Sequence, residues 1–390
     1  MAIPISYNLR NLFVRRTSTA AAMIGIGLVV TVFILVMALA QGFTHAVKTS
    51  GSEKNVLIVR DGSTSEVNSG LLREETDVLS VRPEIARGSD DKPLAVAELV
   101  ILVVLPRIAD GAPANVTLRG TNELGLRLRD GMRILDGGRM FNPGLNEIVV
   151  GKSLAQRIAG LGLGQTVKFK KRDWKVVGIL DAGGTAFDSE VWGDSAIFQS
   201  AFGREAGYQS MTLRMSGTAD FAAFKESLEK DPKLQVDVKT ERQYYSDQTG
   251  FLGQLIQILG VLITAIMSLG AVLGAANTMY AAVGSRAREV ATLRALGFGC
   301  GAVLVSFMVE SLIISAAGGI LGCVLALPIN GMTTSTTNWD TFSELSFAFR
   351  LTPAILWWGF FFALVMGTAG GLLPALRAAR MPITSGLRQG

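Results

Sequence analysis

The chain has 390 residues, of which 49% are hydrophobic and 18% charged, with a net charge of +5 and a mean hydropathy of +0.38. It is too apolar for an ordinary soluble protein and too charged for a bare bundle of membrane helices. We therefore predict a protein with both membrane and globular parts. Two cysteines and one histidine exclude a disulfide-rich fold and disfavour zinc and haem sites, because their usual ligands are nearly absent.

Four apolar stretches reach the length of about 20 residues that a helix needs to cross a bilayer core. We predict that they are membrane-spanning helices, at residues 18–40, 251–283, 302–327 and 353–376. The first stretch is longer than the apolar part of a usual signal peptide, and no small-residue cleavage site closes it. We therefore expect it to be an uncleaved membrane anchor.

The basic residues indicate which side of the membrane is cytoplasmic. Three short segments flanking the stretches contain one acidic residue, Glu289, and nine arginines: Arg10, Arg15, Arg16, Arg286, Arg288, Arg294, Arg377, Arg380 and Arg388. Residues 43–250 instead hold 27 basic and 28 acidic residues. We predict cytoplasmic termini and an extracytoplasmic domain at 43–250, so the positive charge indicates topology and not nucleic-acid binding.

The region between the first two stretches is typical of a folded α+β domain. The patterns predict strands at 56–59, 99–105 and 147–150, helices at 152–159 and 218–231, and a hairpin over 166–180 with its turn at 171–173. The predicted fold class is a membrane protein with four transmembrane helices and a large α+β extracytoplasmic domain inserted between helices 1 and 2. The corresponding divisions are 1–42, 43–245 and 246–390.

A stalk helix is predicted at the end of this domain. The sequence from Thr240 to Gln243 fits a helix capping box, and no stop signal follows before the second apolar stretch. We predict one long helix that leaves the membrane and supports the domain. The alternative is a break near Gly250 or Gly253, because glycine weakens helices.

Residues 285–299 form a short charged segment between two apolar stretches. Their spacing predicts an amphipathic helix with Val290, Leu293 and Leu296 on one face. The charged residues Arg286, Glu289 and Arg294 fall mostly off that face. A loop that only joined two spans would not need this pattern, so we expect the segment to contact a partner or the rest of the chain.

Catalytic and nucleotide-binding signatures are missing from the sequence. No G-x-x-x-x-G-K-[S/T] phosphate loop is present, so we expect the chain to bind no ATP by itself and not to be an enzyme. The acidic pairs Glu74–Glu75 and Asp90–Asp91 lie in polar sequence typical of solvated surface. We predict no catalytic, cofactor-binding or metal-binding residues.

Several residues inside the apolar stretches remain to be explained. Glu310 lies about 8 residues, or roughly 12 Å, into the third stretch. A functional role for Glu310 would be proton or substrate handling. A structural role would be pairing with Arg286, Arg288 or a backbone end. The structural role is favoured because no other intramembrane charge accompanies Glu310. Small residues spaced four apart predict close helix contacts, with Asn277 as a hydrogen-bonding packing residue: Gly270, Gly274, Gly318, Gly322, Gly367 and Gly371.

These motifs together resemble the MacB/FtsX-like family of ABC transporter permeases. The resemblance rests on Asn277, on Arg286-Ala-Arg-Glu-Val-Ala-Thr-Leu-Arg-Ala-Leu-Gly297, on Glu310, and on Gly318-Gly319. Further segments match the family's first-span entry, outer core and ending: Asn8-Leu-Arg with Gly25-Ile-Gly27, 146–151, 174–180 and 371–380. The resemblance covers both membrane ends and part of the inserted domain.

The resemblance implies a homodimeric permease of the bacterial inner membrane that binds two ABC ATPase subunits, which hold ATP and Mg²⁺. Only about 17 residues precede the first span, so we expect the ATPase, which MacB carries fused, to be a separate chain. The 285–299 segment corresponds to the coupling helix, with Arg286, Arg288, Glu289, Val290, Leu293, Arg294, Leu296 and Gly297 as its expected contact residues.

In this family, ATPase closure moves the stalks and outer domain, a mode called mechanotransmission. The expected function is export or extrusion of a periplasmic or membrane-derived substrate. Its further expected partners are membrane lipid, a periplasmic adaptor protein and an outer-membrane channel. The alternatives are a non-transporting FtsX-type regulator of an external enzyme and a lipoprotein or lipid extraction permease.

Overall fold

The computed structural model describes residues 16–337 and 343–383. Its α-helices are α1 (Arg16–Lys48), α2 (Arg73–Ser80), α3 (Glu123–Arg127), α4 (Lys152–Ala155), α5 (Ser195–Phe202), α6 (Phe221–Glu229), α7 (Glu241–Ser285), α8 (Ala287–Ala295), α9 (Cys300–Ala326) and α10 (Pro353–Arg380). Turns of 3₁₀-helix occur at Glu66–Asn68, Ala186–Ser189 and Leu327–Ile329.

The described strands are β1 (Asn55–Arg60), β2 (Leu71–Leu72), β3 (Ala95–Pro106), β4 (Pro113–Thr121), β5 (Arg133–Ile134), β6 (Glu147–Gly151), β7 (Thr166–Phe169), β8 (Arg172–Asp181), β9 (Glu190–Asp194), β10 (Gly207–Tyr208), β11 (Ser210–Arg214), β12 (Val236–Thr240), β13 (Thr333–Thr337) and β14 (Glu344–Ala348). The described chain divides into two compact units. The membrane unit comprises 16–41, 254–332 and 349–383, and the sheet unit comprises 42–253, 333–337 and 343–348.

The membrane unit contains four helices that are long and apolar enough to cross a bilayer within the described residues. They are α1, the part of α7 from Gly253 onward, α9 with the 3₁₀ turn that follows it, and α10, and each overlaps one of the predicted spans. Only 6% of the most apolar window of α7 is buried, against 44% in α10. Helix α7 therefore presents most of its membrane surface outward, whereas α10 packs inside the unit.

The sheet unit is built on a ten-stranded mixed sheet in the order β12-β1-β11-β3-β4-β9-β6-β8-β5, with β7 paired to β8. The pairs β4–β9 and β6–β8 are parallel, and the other pairs are antiparallel. Phe224 and Leu228 of α6 pack with β1, β11 and β12, while Phe198 of α5 packs with Trp174 and strands β3 and β4. Helices and sheet share these cores, which agrees with the predicted α+β class.

Two local predictions need correction. The helix expected over 152–159 ends at Ala155, because Ile158 leaves the helix to bridge Arg107 beside β3. The hairpin turn lies at Lys170 and Lys171, not at 171–173, because both residues adopt left-handed backbone angles, with φ of 49° and 61°. The chain turns there and Arg172 already belongs to β8.

The predicted stalk is confirmed as one continuous helix, α7, which runs for 45 residues through Gly250 and Gly253. At its start the Gln243 N–H donates to Thr240 Oγ1 over 3.2 Å, one half of the predicted capping box. The helix begins in the sheet unit and ends in the membrane unit. The β13–β14 hairpin, which connects α9 to α10, lies within the predicted segment 246–390. In the structure it groups with the sheet unit.

Candidate functional site

The 285–299 segment folds as the short helix α8, with Arg286 as the residue that precedes it. The Arg286 side chain is buried at 7% exposure, and its Nη1 lies 2.8 Å from Glu310 Oε2 of α9. Its Nε lies 3.1 Å from Glu289 Oε2, and its guanidinium lies 5.0 Å from the Phe307 ring centre. Glu310 is thus paired with an arginine of the charged segment, the structural reading favoured from sequence.

The Arg286 side chain lies inside the membrane unit, and its expected contact with an ATPase stays a prediction. Glu310 supplies a buried counter-charge to it from another helix. Arg286 therefore fastens α8 to α9.

The predicted apolar face of α8 divides between the interior and the surface. Val290 is 2% exposed and packs with Met279, Val283 and Phe307. Leu293 is half-buried, and Leu296 is 70% exposed. Arg288 and Glu289 are also exposed, so the surface that α8 leaves open combines charge with one large apolar side chain.

The last turn of α8 is fixed to the end of α10. An Arg294 nitrogen donates a hydrogen bond to the Met381 carbonyl oxygen, directly after α10. Gly297 follows with φ of +96°, a backbone conformation that favours glycine. Arg294 and Gly297 consequently shape the helix end, and Arg294 is only partly open to a partner.

Two of the three predicted glycine pairs lie at close helix contacts. A Cβ on Gly318 or Gly322 would come within 3.0 Å of α1, at the Met23 and Gly27 carbonyl oxygens. Gly367 and Gly371 face Ser315 and Ser311 of α9, and the Ser311 hydroxyl donates to the Gly367 carbonyl over 2.6 Å. Small residues let these backbones approach closely, as expected for membrane helices.

The third pair and Asn277 make no close helix contact within the described chain. A Cβ on Gly270 or Gly274 would meet nothing within 4 Å, and Leu273 on the same face is 61% exposed. Asn277 is exposed, and no side-chain hydrogen bond joins it to another described residue. This face of α7 points away from the other described helices, and its role in helix packing stays a prediction.

A buried ion cluster holds the start of α7 in the sheet unit. We use this name for two arginines and four glutamates that are each at least nine-tenths buried: Arg119, Arg129, Glu66, Glu98, Glu190 and Glu241. Arg119 lies 2.7–2.9 Å from Glu66, Glu98 and Glu190. Arg129 lies 2.7 Å from Glu98 and 2.9 Å from Glu241, the first residue of α7.

Further hydrogen bonds join the cluster to neighbouring polar groups. Asn55 Nδ2 and the Ser52 N–H donate to Glu241, and Arg119 also donates to the Tyr245 hydroxyl of α7. The Glu66 N–H donates to the Tyr244 hydroxyl over 2.6 Å. Three residues in the first two turns of α7 are therefore bound into the core of the sheet unit.

Electrostatic interactions favour the charged forms of Glu98 and Arg129. Burial alone would raise the pKa of Glu98, but Arg129 and Arg119 hold that pKa down at about 2, against an ordinary 4.5. Burial opposes the charge of Arg129, yet Glu98 and Glu241 raise its pKa above the usual value. Burial raises the pKa of Tyr245 and keeps its hydroxyl protonated.

Sequence reasoning missed this cluster, whose members come from distant parts of the chain. One usable signal was Glu98, a lone acid at the edge of the apolar run of β3, and another was Arg119 inside the buried strand β4. Each buried charge calls for a partner. Within 16–337 and 343–383, no three His, Cys, Asp or Glu side chains are arranged to hold a metal ion.

Comparison with known families agrees with this architecture. The model described as MacB-like periplasmic core domain matches residues 19–231, more than half of the chain, and the model described as FtsX-like permease C-terminal matches 261–383. The chain belongs to the MacB/FtsX-like ABC transporter permease family. It is accordingly a membrane protein, with a MacB-like core domain between its first two membrane helices.

Similar proteins include one named as an ATP-binding/permease protein and one named as a permease. The chain is 22% identical to the macrolide export ATP-binding/permease protein MacB of Bdellovibrio bacteriovorus, over 97% of this chain and 60% of that protein. It is 23% identical to the uncharacterized ABC transporter permease YknZ of Bacillus subtilis, over 58% of this chain and 57% of the relative. The chain thus spans well under two thirds of these relatives.

Two solved structures align with about half of this chain. The periplasmic region of MacB from Actinobacillus actinomycetemcomitans aligns with 52% of this chain and 94% of its own length, at 14% identity and a TM-score of 0.38. The extracellular domain of YknZ from Gram-positive bacteria aligns with 47% of this chain and 99% of its own length, at 16% identity and a TM-score of 0.35.

Proposed function

We propose that the chain is a homodimeric permease that works with two separate ABC ATPase subunits in the bacterial inner membrane. ATP-driven movement of the ATPases is transmitted through α7 to a periplasmic sheet unit, which exports or extrudes a periplasmic or membrane-derived substrate. The single observation that carries this proposal is the continuity of α7, bound at its start to the buried ion cluster and followed at its end by the α8 segment.

The geometry of α7 suits the transmission of force. At about 1.5 Å per residue its 45 residues extend about 68 Å, far more than a bilayer core requires. Its start is bound through Glu241, Tyr244 and Tyr245 in the sheet unit. A continuous helix that is held at its start resists sharp kinking, because a kink would interrupt its backbone hydrogen bonds, so a displacement at its far end is carried along its length.

The composition of the apolar part of α7 favours transmission of movement by this helix over conduction of a substrate along it. Between residues 254 and 276 its polar side chains are Gln254, Gln257, Thr264 and Ser268. A hydrophilic channel would need a longer polar lining. The substrate is therefore proposed to be moved by the sheet unit and not through a polar pore along this helix.

The exposed surface of α8 is the proposed ATPase contact. Arg286 joins α8 to α9, Arg294 joins it to the residue after α10, and Val290 packs inside. Arg288 and Leu296 remain open and would meet an acidic residue and an apolar pocket on the ATPase. Because α8 is held at both ends, a push on this surface reaches the membrane helices.

Leu296→Asp is expected to lower recovery of the ATPase subunit at least 10-fold in a mild-detergent purification from the native membrane. It replaces an exposed apolar contact by a charge that would have to be desolvated on docking. Mass spectrometry of the purified material measures the recovery and identifies the ATPase. Leu163→Asp makes the same change at an exposed leucine of the sheet unit and should leave recovery unchanged. Equal recovery from both variants would contradict docking on α8.

The same purification separates the competing functions. An accompanying adaptor protein supports export, a wall-modifying enzyme supports an FtsX-type regulator, and a lipoprotein supports extraction.

The open face of α7 is the proposed dimer contact. Gly270 and Gly274 leave a groove without neighbours, and Asn277 offers an amide for hydrogen bonding. A polar side chain turned towards lipid is costly, whereas a second copy of the chain would supply a matching amide and a close helix approach.

Replacing both Gly270 and Gly274 by leucine is expected to shift the purified protein from dimer to monomer, with at least a 10-fold weaker association. The added side chains fill the groove that close helix approach requires. Mass photometry in detergent over a range of concentrations measures the shift. Gly25→Leu serves as the control, because a Cβ at Gly25 of α1 also meets nothing within 4 Å. A fully dimeric double variant would refute this interface.

A further inference from the structure

The β13–β14 hairpin connects two membrane helices yet is held firmly in the sheet unit. It follows α9 and precedes α10, and its strands pair from Thr333 opposite Ala348 to Thr337 opposite Glu344. Its buried residues include Glu344, Ser346 and Phe347. A connection that only returned the chain to the membrane would not need a buried carboxylate.

Two arginines form ion pairs with the Glu344 carboxylate. Its side chain is 6% exposed, one carboxylate oxygen accepts a hydrogen bond from Arg107, and the other lies 2.5 Å from Arg157 Nη2. We call these three residues the Glu344 clamp. Arg107 follows β3 and Arg157 follows α4, so both belong to the framework of the sheet unit. Charge-assisted bonds of this kind are among the stronger polar contacts in proteins.

Further contacts secure the hairpin on both sides. Arg157 also donates to Ser335 and Ser346, and the Ser346 N–H donates to Ser189 Oγ over 2.9 Å. The Phe347 ring meets Phe43 of α1 edge-on with 5.3 Å between ring centres. The hairpin is therefore bound both to the sheet framework and to the end of α1 that belongs to the same unit.

The first half of α9 connects to α8. Glu310 of α9 is the carboxylate that binds Arg286 at the start of α8. A displacement of α8 acts on α9 directly through this buried ion pair. Helix α9 spans 27 residues, about 40 Å, and leads through a short 3₁₀ turn into the hairpin.

We propose that α9 and the hairpin form a second mechanical link, parallel to α7, and that the Glu344 clamp fastens this link to the sheet unit. The inference rests on the proposed function, because it concerns how motion of α8 reaches the sheet unit. The hairpin is attached to the sheet unit at Glu344 and α7 is attached at Glu241, so the two links together restrict the direction in which a displacement can turn the sheet unit.

The test measures the response of the sheet unit in the full complex purified with its ATPase. A ketone-bearing amino acid replaces exposed Asp173 and takes a nitroxide label, and pulsed electron resonance gives the distance between the labels of two copies. We compare the ATP-free complex with the complex trapped by ATP and vanadate. Glu344→Gln should reduce the distance change at least twofold. Glu147→Gln is the matched control, because Glu147 is a similarly buried carboxylate bound by a single arginine, Arg139, eight residues away.

A second variant distinguishes the loss of this attachment from a folding defect. In the Glu344→Gln background, with both native cysteines replaced by alanine, Ser189→Cys and Ser346→Cys would allow a disulfide to hold the hairpin in place. Oxidation should restore the response, and reduction should remove it again. An undiminished response in Glu344→Gln, or no recovery on oxidation, would overturn the link. No response in the unmodified complex would instead defeat the proposed transmission itself, and this inference with it.

Discussion

Arg286→Met should lower the free energy of unfolding of the membrane unit by about 3–5 kcal/mol. The change removes the buried partner of Glu310, whose carboxylate lies 2.8 Å from the guanidinium and is 5% exposed. An uncompensated buried charge costs far more than a mutually satisfied pair contributes. Thermal unfolding in detergent, followed by loss of monodisperse protein, measures the effect.

Two further variants identify the cause of that loss. Arg288→Met removes an exposed arginine two positions away and should change stability by less than about 0.5 kcal/mol. Arg286→Met combined with Glu310→Leu removes both charges and should recover most of the stability, because no unpaired charge remains. If the double variant is no more stable than Arg286→Met, the pair does not hold α8 to α9 in the way described.

The sheet unit should lose stability as pH falls from about 4.5 to about 2. The pKa of Glu98 is about 2 in the folded protein and 4.5 ordinarily. A lowered folded pKa means that the stabilisation is fully present above the unfolded value and disappears as pH falls through the folded value. The difference corresponds to about 3 kcal/mol, at about 1.4 kcal/mol per pH unit. Fluorescence of the buried Trp174 and Trp192 in the full chain reports the unfolding.

Glu98→Gln tests the origin of this acid sensitivity. The amide does not titrate, so the variant should be less stable at neutral pH yet show a flatter stability profile between pH 4.5 and 2. Glu53→Gln, at an exposed carboxylate, should keep the profile of the unmodified protein. An unchanged slope in Glu98→Gln would show that other carboxylates govern the acid response.

The sequence was informative wherever the cause was local or periodic. Long apolar stretches anticipated α1, α9 and α10, and the lack of a stop signal after Thr240 anticipated a continuous α7. The pairing of Glu310 was also foreseeable, because a lone acid in an apolar helix needs a counter-charge and the charged segment just before α9 contains Arg286 and Arg288.

Contacts between distant parts of the chain could not be predicted from the sequence. The buried ion cluster joins residues as far apart as Glu66 and Glu241, and no spacing rule connects them. The same holds for Glu344, whose arginines lie about 190 residues or more earlier in the chain. The outward position of Asn277 depends on which face of α7 meets α9 and α10, and helical periodicity alone does not determine that.

The central claim is that α7 transmits ATP-driven movement as one stiff body. Inserting three glycines between Gln248 and Thr249 interrupts the helix beyond its anchored first turns and before its apolar part. In the purified complex, the insertion should leave ATP hydrolysis within about twofold of the unmodified protein. It should also reduce the ATP-dependent change in label distance between the two sheet units at least fivefold. A full distance change in the interrupted protein would contradict the account, because movement would then reach the sheet unit without an intact α7.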